Sequence, residues 1–228
     1  MLLLAFDTAT PAVTVALHDG AAVVTAELAV DARRHGELLA PAIARVLATA
    51  GAAAGDLTGI AVGTGPGPYT GLRAGLVTAR SLGDALGLPV HGVCTMDIIA
   101  FEAAAGGPVP GGAVPGGAVP GGSFTVATDA RRKEVYWARY TAGGRRVHGP
   151  EVGPPGDAAD GGPVAGEGPW LYPAELGPSA GPRYPSAAAL AALVAGCLAA
   201  GGELLPPEPL YLRRPDARVP GPPKRVTP

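Results

Sequence analysis

Gly63-Thr64-Gly65-Pro66-Gly67-Pro68-Tyr69-Thr70-Gly71-Leu72-Arg73 joins a strand pattern to a helix pattern, and the reading of the fold turns on it. Ile60, Ala61 and Val62 lead in as a short buried strand, Pro66 and Pro68 forbid helix, and Thr70 is placed to cap the helix that follows. Up to Gly87, small residues recur every fourth position at Gly71, Gly75, Ala79 and Gly83, forming one ridge almost free of side chains. Glycine inside a helix costs about 1 kcal/mol relative to alanine, so something packed closely against the ridge must offset it. The ridge fits either this chain's own sheet or a helix of another chain. Upstream, the segment from His35 to Ala50 carries Leu38, Leu39, Ala42, Ile43, Val46 and Leu47 on one stripe at helical spacing. Two such helices on one flank suggest a docking face built from His35, Leu38, Leu39, Ala42, Ile43, Val46, Gly71, Leu72, Gly75, Thr78, Ala79 and Leu82. The glycines also resemble a loop that offers N–H groups to phosphate, yet neither GxxxxGK[ST] nor a properly placed GxGxxG is present.

With 47% hydrophobic and 16% charged residues in 228, the chain has enough apolar surface for a sizeable core. A formal net charge of -2 argues against gripping nucleic acid through the overall field. Cys94 and Cys197 stand alone in apolar runs and read as buried thiols of a reducing compartment. His18, His35, His91 and His148 are scattered singly, so no metal site is expected, and His35 is expected to cap or flank its helix. Met1 to Phe6 runs straight into Asp7 and reads as a first strand, not a signal segment. Ala187 to Ala200 is shorter than the roughly 20 residues of a membrane span, so the expected location is cytoplasmic, away from membranes.

Leu2 to Thr8, Val13 to His18 and Ala22 to Ala29 predict an antiparallel meander, followed by alternating helix and strand: a mixed-sheet α/β domain over residues 1–105. GGPVP, GGAVP and GGAVP within 106–122 predict a linker, because five-residue Gly/Pro units cannot bury a face. A smaller second domain is expected over 123–228, opening with strands at Phe124 to Thr128 and Glu134 to Tyr140 around the basic turn Arg131-Arg132-Lys133. Gly143 to Pro185 is dense in Gly and Pro, with order hinted only at Pro163 to Ala165 and Trp170-Leu171-Tyr172; a helix from Ser186 to Ala200 follows.

The opening Phe6-Asp7-Thr8-Ala9-Thr10, the Gly65 to Arg73 loop, the hairpin Thr128-Asp129-Ala130-Arg131-Arg132-Lys133-Glu134-Val135-Tyr136-Trp137 and the tail Pro209-Leu210-Tyr211-Leu212-Arg213-Arg214 together resemble the TsaB (YeaZ) family. The pentapeptide insertion and the Gly/Pro-rich middle depart from that family's pattern. The resemblance implies a two-lobed fold of the actin-like, Hsp70-like ATPase superfamily with mixed sheets and a reduced second lobe. It implies a scaffold, not an enzyme, in forming threonylcarbamoyladenosine beside the anticodon of tRNA. The implied partners are a transferase subunit, TsaD, and an ATPase, TsaE, with a homodimer when alone, tRNA reached only through the complex, and no cofactor. For Asp7, Thr8, Gly65 and Gly67 it implies a vestige of the superfamily's nucleotide site; the alternative is that Asp7 caps the turn through Thr8 and Thr10. Cys94-Thr95-Met96-Asp97-Ile98-Ile99-Ala100, where a related transferase would carry paired histidines, has none. Rival classes are a glycoprotease-like peptidase and a small-molecule kinase, but Ser81, Ser123, Ser179 and Ser186 lie in no GxSxG context. Asp129 and Glu134 flank a turn and offer no assignable acid and base pair. Arg131, Arg132 and Lys133 are read either as a solvated turn or as contacts to tRNA phosphates.

Overall fold

A computed structural model describes residues 1–106 and 122–213; nearly all of the expected linker, and the tail motif's Arg214, lie outside the described residues. Leu3–Asp7 (β1), Ala12–His18 (β2) and Val23–Val30 (β3) form the predicted antiparallel meander. His35–Thr49 (α1), Gly59–Gly63 (β4), Tyr69–Leu86 (α2), Val90–Val93 (β5) and Thr95–Ala104 (α3) follow, with β4 parallel to β1 and β5 parallel to β4. The sheet order is β3-β2-β1-β4-β5. Strand alternation divides its side chains between two layers. Leu4, Phe6, Val15, Ile60 and Val62 meet Leu39, Val46 and Leu72 from α1 and α2, whereas Leu3, Ala5 and Ala61 face the other way.

The second sheet contains Phe124–Asp129 (β6), Val135–Tyr140 (β7), Arg146–Gly153 (β8) and Val164–Ala165 (β9), in the order β8-β7-β6-β9. Pro155–Ala158 (α4), Gly168–Leu171 (α5) and Pro173–Leu176 (α6) are single turns around it, and Ala187–Ala199 (α7) follows. Both sheets are mixed, as the expected fold class requires. The Gly/Pro-dense middle contains a strand that its composition concealed. β8 lies at an edge, where a proline costs no ladder bond on the open side, so Pro150 is accommodated.

Two expectations are corrected. Helix α2 begins at Tyr69 after Pro68, with no side-chain cap, so Thr70 lies inside it. Helix α7, assigned to a second lobe spanning 123–228, instead covers the open face of the first sheet. Leu190, Val194 and Ala191 pack with Leu3, Ala5, Ala61 and Ile98, and Ala187 and Ala188 with Ala16. A helix made almost wholly of Ala and Leu has no polar face to show to water, and its small side chains let it lie close to the strands. Ser186 caps it, its Oγ accepting from the Ala189 N–H at 3.4 Å. Among the described residues no helix is long and apolar enough to cross a membrane.

Glu102 on α3 is 1% exposed, and neither carboxylate oxygen has a hydrogen-bond partner among the described residues. Burial pushes its carboxyl up to about 7. The folded state therefore favours the acid form: its stability relative to a Glu102→Gln variant is greatest below the ordinary Glu range and falls as pH rises toward 7. The expected difference across that window is about 3 kcal/mol. Urea unfolding at a series of pH values checks this; parallel curves for the two proteins would contradict it.

Candidate functional site

Thr8 stands at the end of β1 beneath the first turns of α2. Its hydroxyl donates to the Gly71 carbonyl at 2.8 Å and accepts from the Gly75 N–H at 3.0 Å, bridging the two ends of one helical step. A Cβ on Gly71 would lie 2.6 Å from the Thr8 carbonyl oxygen, and one on Gly75 would lie 2.5 Å from Thr8 Oγ1. Further along, a Cβ on Gly83 would meet the Val90 side chain at 2.4 Å. The glycine ridge is the seat of α2 on its own sheet.

That corrects the docking face drawn from sequence. His35, Leu39, Ala42, Ile43, Val46, Gly71, Leu72, Gly75 and Ala79 are buried within the chain, because the apolar stripe of each helix closes the sheet; Leu38, Thr78 and Leu82 alone of the twelve are half-buried at the helix flanks. His35 does flank its helix: Nε2 is 2.7 Å from the Thr10 carbonyl oxygen, and the ring fills the space beside Gly71.

Asp7 is fully buried, with Oδ1 accepting from the Ala9 N–H at 2.7 Å and Oδ2 from the Thr95 hydroxyl at 2.6 Å. Burial pushes its carboxyl above the usual range, and the bonds from Thr95 and Ala9 pull it partly back. The Thr95 Oγ1 also accepts from the Gly65 N–H at 3.1 Å, while the Thr95 N–H donates to the Gly65 carbonyl at 2.8 Å. Gly65 has φ of 88°, and Gly67 sits so close to the Ala9 carbonyl that a Cβ would be 2.0 Å from its oxygen. Asp7, Thr8, Gly65 and Gly67 are thus brought together, but the loop is folded down on the turn after β1, and the Asp7, Thr8 and Gly65 polar groups answer groups of the same chain. Thr95 holds the cluster together, and its sequence signal is its place at the start of a helix after a strand.

The tail ties the lobes. Leu205 accepts from the Gly92 N–H at 2.7 Å, the Leu210 N–H donates to the Thr64 carbonyl at 2.8 Å, and Arg213 donates to the Ala130 carbonyl at 2.9 Å while pairing with Glu134. Between loop, hairpin and tail lies a cleft of about 420 Å³, lined by Gly67, Pro68, Tyr69, residues 130–132, Tyr136 and residues 210–213. Asp129 pairs with Arg131 at 3.1 Å, so Asp129 and Glu134 are held in separate ion pairs. The Cys94 thiol is buried and pushed up to about 12, which leaves it inert at neutral pH. Ser179 donates to the Gly181 carbonyl and Ser186 caps α7. Among the described residues, no three His, Cys, Asp or Glu side chains are grouped to hold a metal.

Residues 27–166 match the family profile described as TsaD, tRNA N6-adenosine threonylcarbamoyltransferase. YeaZ from Pseudomonas aeruginosa superposes with a TM-score of 0.72 at 30% identity, covering 92% of this chain and 99% of that one. The chain belongs to the TsaB (YeaZ) family. The TsaB of Escherichia coli, named a tRNA threonylcarbamoyladenosine biosynthesis protein, is 36% identical over 141 residues, 61% of this chain and 55% of that protein. An uncharacterised protein of Mycobacterium tuberculosis is 43% identical over 219 residues, 94% of this chain and 93% of its own length. The YeaZ likeness extends over 92% of this chain, so the self-satisfied cluster at Asp7 is set within a TsaB-type frame.

Removing the Thr8 hydroxyl leaves the Gly71 carbonyl and the Gly75 N–H without that partner, so Thr8→Val is expected to cost about 1 to 3 kcal/mol. Gly75→Ala should cost a similar amount, about 1 to 3 kcal/mol from overpacking, despite its better helix propensity. Denaturant unfolding of the isolated chain measures both. A Gly75→Ala protein as stable as its parent would show that Thr8 does not hold the helix.

Proposed function

We propose that this TsaB-family chain is a non-catalytic scaffold subunit in the biosynthesis of threonylcarbamoyladenosine in tRNA, an inactive paralogue of the transferase subunit that works in the cytoplasm. It docks on a TsaD-like transferase, the resulting pair recruits a TsaE-like ATPase, and the chain pairs with itself when alone. The observation that carries this reading is the closed cluster at the end of β1. Asp7 and Thr8 are engaged by Ala9, Thr95, Gly71 and Gly75, so the carboxylate that would organise nucleotide chemistry is occupied as a structural brace. The match to the transferase's own profile supports descent from a catalytic fold, and the names of the TsaB relatives supply the pathway.

The buried faces of α1 and α2 leave their outer flanks for a partner. Leu38 on α1, with Thr78 and Leu82 on α2, remains half-buried there, and we assign the docking contact to those residues.

Leu82→Arg is expected to weaken co-purification with the transferase subunit at least about tenfold, the effect of a bulky charge at an apolar contact costing about 1.4 kcal/mol or more. Because Leu82 also packs against the first core, thermal unfolding of the isolated variant should show a lowered midpoint with the chain still folded at the assay temperature. Reconstituted tRNA modification should require the parent chain and fall with Leu82→Arg, while the isolated chain hydrolyses neither ATP nor peptide. Full modification in the absence of this chain would overturn the scaffold role.

A further inference from the structure

The interlobe cleft continues onto the outside of α2. A second hollow, of about 300 Å³, shares Tyr69 and Tyr211 with it and runs past Arg73 and Arg80. Among the described residues, neither lining contains an Asp or a Glu. At the junction the rings of Tyr69 and Tyr211 stack with centroids 5.6 Å apart, and they are 53% and 46% exposed. Arg73 lies over the Tyr69 ring at 5.0 Å, and Arg80 Nε donates to the Pro207 carbonyl at 2.9 Å, so both cations are positioned yet exposed.

On the opposite bank, Arg131, Arg132 and Lys133 have φ of 63°, 56° and 63°. Left-handed backbone favours glycine or asparagine, so three long cations in succession are kept there against backbone preference. Such strain is concentrated where side chains serve a ligand. Asp129 and Glu134 pair with Arg131 and Arg213 and brace the turn. Even with both counted, cations outnumber carboxylates around this groove among the described residues, in a chain whose net charge is -2.

We propose that this groove binds single-stranded RNA directly, with phosphates along Arg73, Arg80 and the 131–133 turn and an unstacked base against the tyrosine pair. Cations interleaved with exposed rings suit a single strand, whose charge and base faces are both accessible; a duplex keeps its bases stacked inside. The inference rests on the reading that the chain serves tRNA, and replaces the expectation that RNA is reached only through the partner. A negative overall field does not oppose it, because phosphates are met by a local patch. The groove lies on the flank of α2 away from Thr78 and Leu82, so RNA and the transferase need not compete.

The test is fluorescence anisotropy of a labelled single strand of about 12 nucleotides with the isolated full chain, titrated from about 50 to 200 mM salt. Arg80→Ala and Arg132→Ala, on different lobes, should each weaken binding and lower the salt slope by about 0.7. Tyr211→Ala should weaken binding about 5- to 100-fold, and Tyr211→Phe should retain it. Arg45→Ala, which breaks a surface pair with Glu27 on α1, should change nothing. Absence of binding at low salt, equal binding of duplex RNA, equal loss in Arg45→Ala, or displacement by micromolar ATP would each overturn the proposal. Docking on the transferase is read separately by co-purification, so a failure of RNA binding leaves that reading standing, and the converse holds.

Discussion

The hydroxyl of Thr8 bridges Gly71 and Gly75, and the first lobe is arranged around that contact. For the hydroxyl to reach helix backbone, α2 must lie almost on the end of β1, which no side chain at either glycine allows. The helix start then sits just above the turn after β1, and the loop from Gly65 to Pro68 has room only to fold downward onto Ala9. Thr95 completes the arrangement from the far side, joining Asp7 to Gly65. Glycine's cost in a helix is offset here by backbone hydrogen bonds and close packing, which a bulkier sequence would forbid.

This closeness has a chemical consequence. In water or beside a cation, the carboxylate of Asp7 would be ionised and available to an outside ligand; buried against Gly63 and held by two donors, it serves as an internal brace. The floor of the lobe is thereby satisfied internally, and the surface it leaves open is the rim. The rim is formed by the outer flanks of α1 and α2, the hairpin turn and the tail, and Tyr69, Val77 and Tyr211 are exposed there beside Arg73 and Arg80. The tail strap matters equally, since Arg213 fastens the hairpin while Leu210 fastens the loop, and together they define the cleft between them.

Much of the first lobe was legible because local rules and tertiary structure agree there. The continuous apolar run before Asp7, the 3.6-residue stripe of α1, and Gly87 in the left-handed region at the end of α2 each have a nearby physical cause. The second lobe was less legible. Gly143 to Pro185 carries few apolar pairs, and β8 exists because β7 offers a partner edge, not because its own residues demand a strand.

By itself the sequence determined the order of elements in the first lobe, the family likeness carried by its loop and hairpin motifs, and the need for something close against the small-residue ridge. Which surface met that ridge was decided by tertiary structure alone, since every-fourth-residue spacing is the same whether the neighbour is a strand end or a second chain. Only the folded chain places Thr8 under Gly75, 67 residues apart. The same holds for α7, whose apolar composition specifies burial but not the sheet that receives it, and for the groove, whose Tyr69 and Tyr211 meet only because the tail crosses both lobes. Periodicity encodes which face of an element is apolar; distance in space between remote segments is set by the closure of the whole chain.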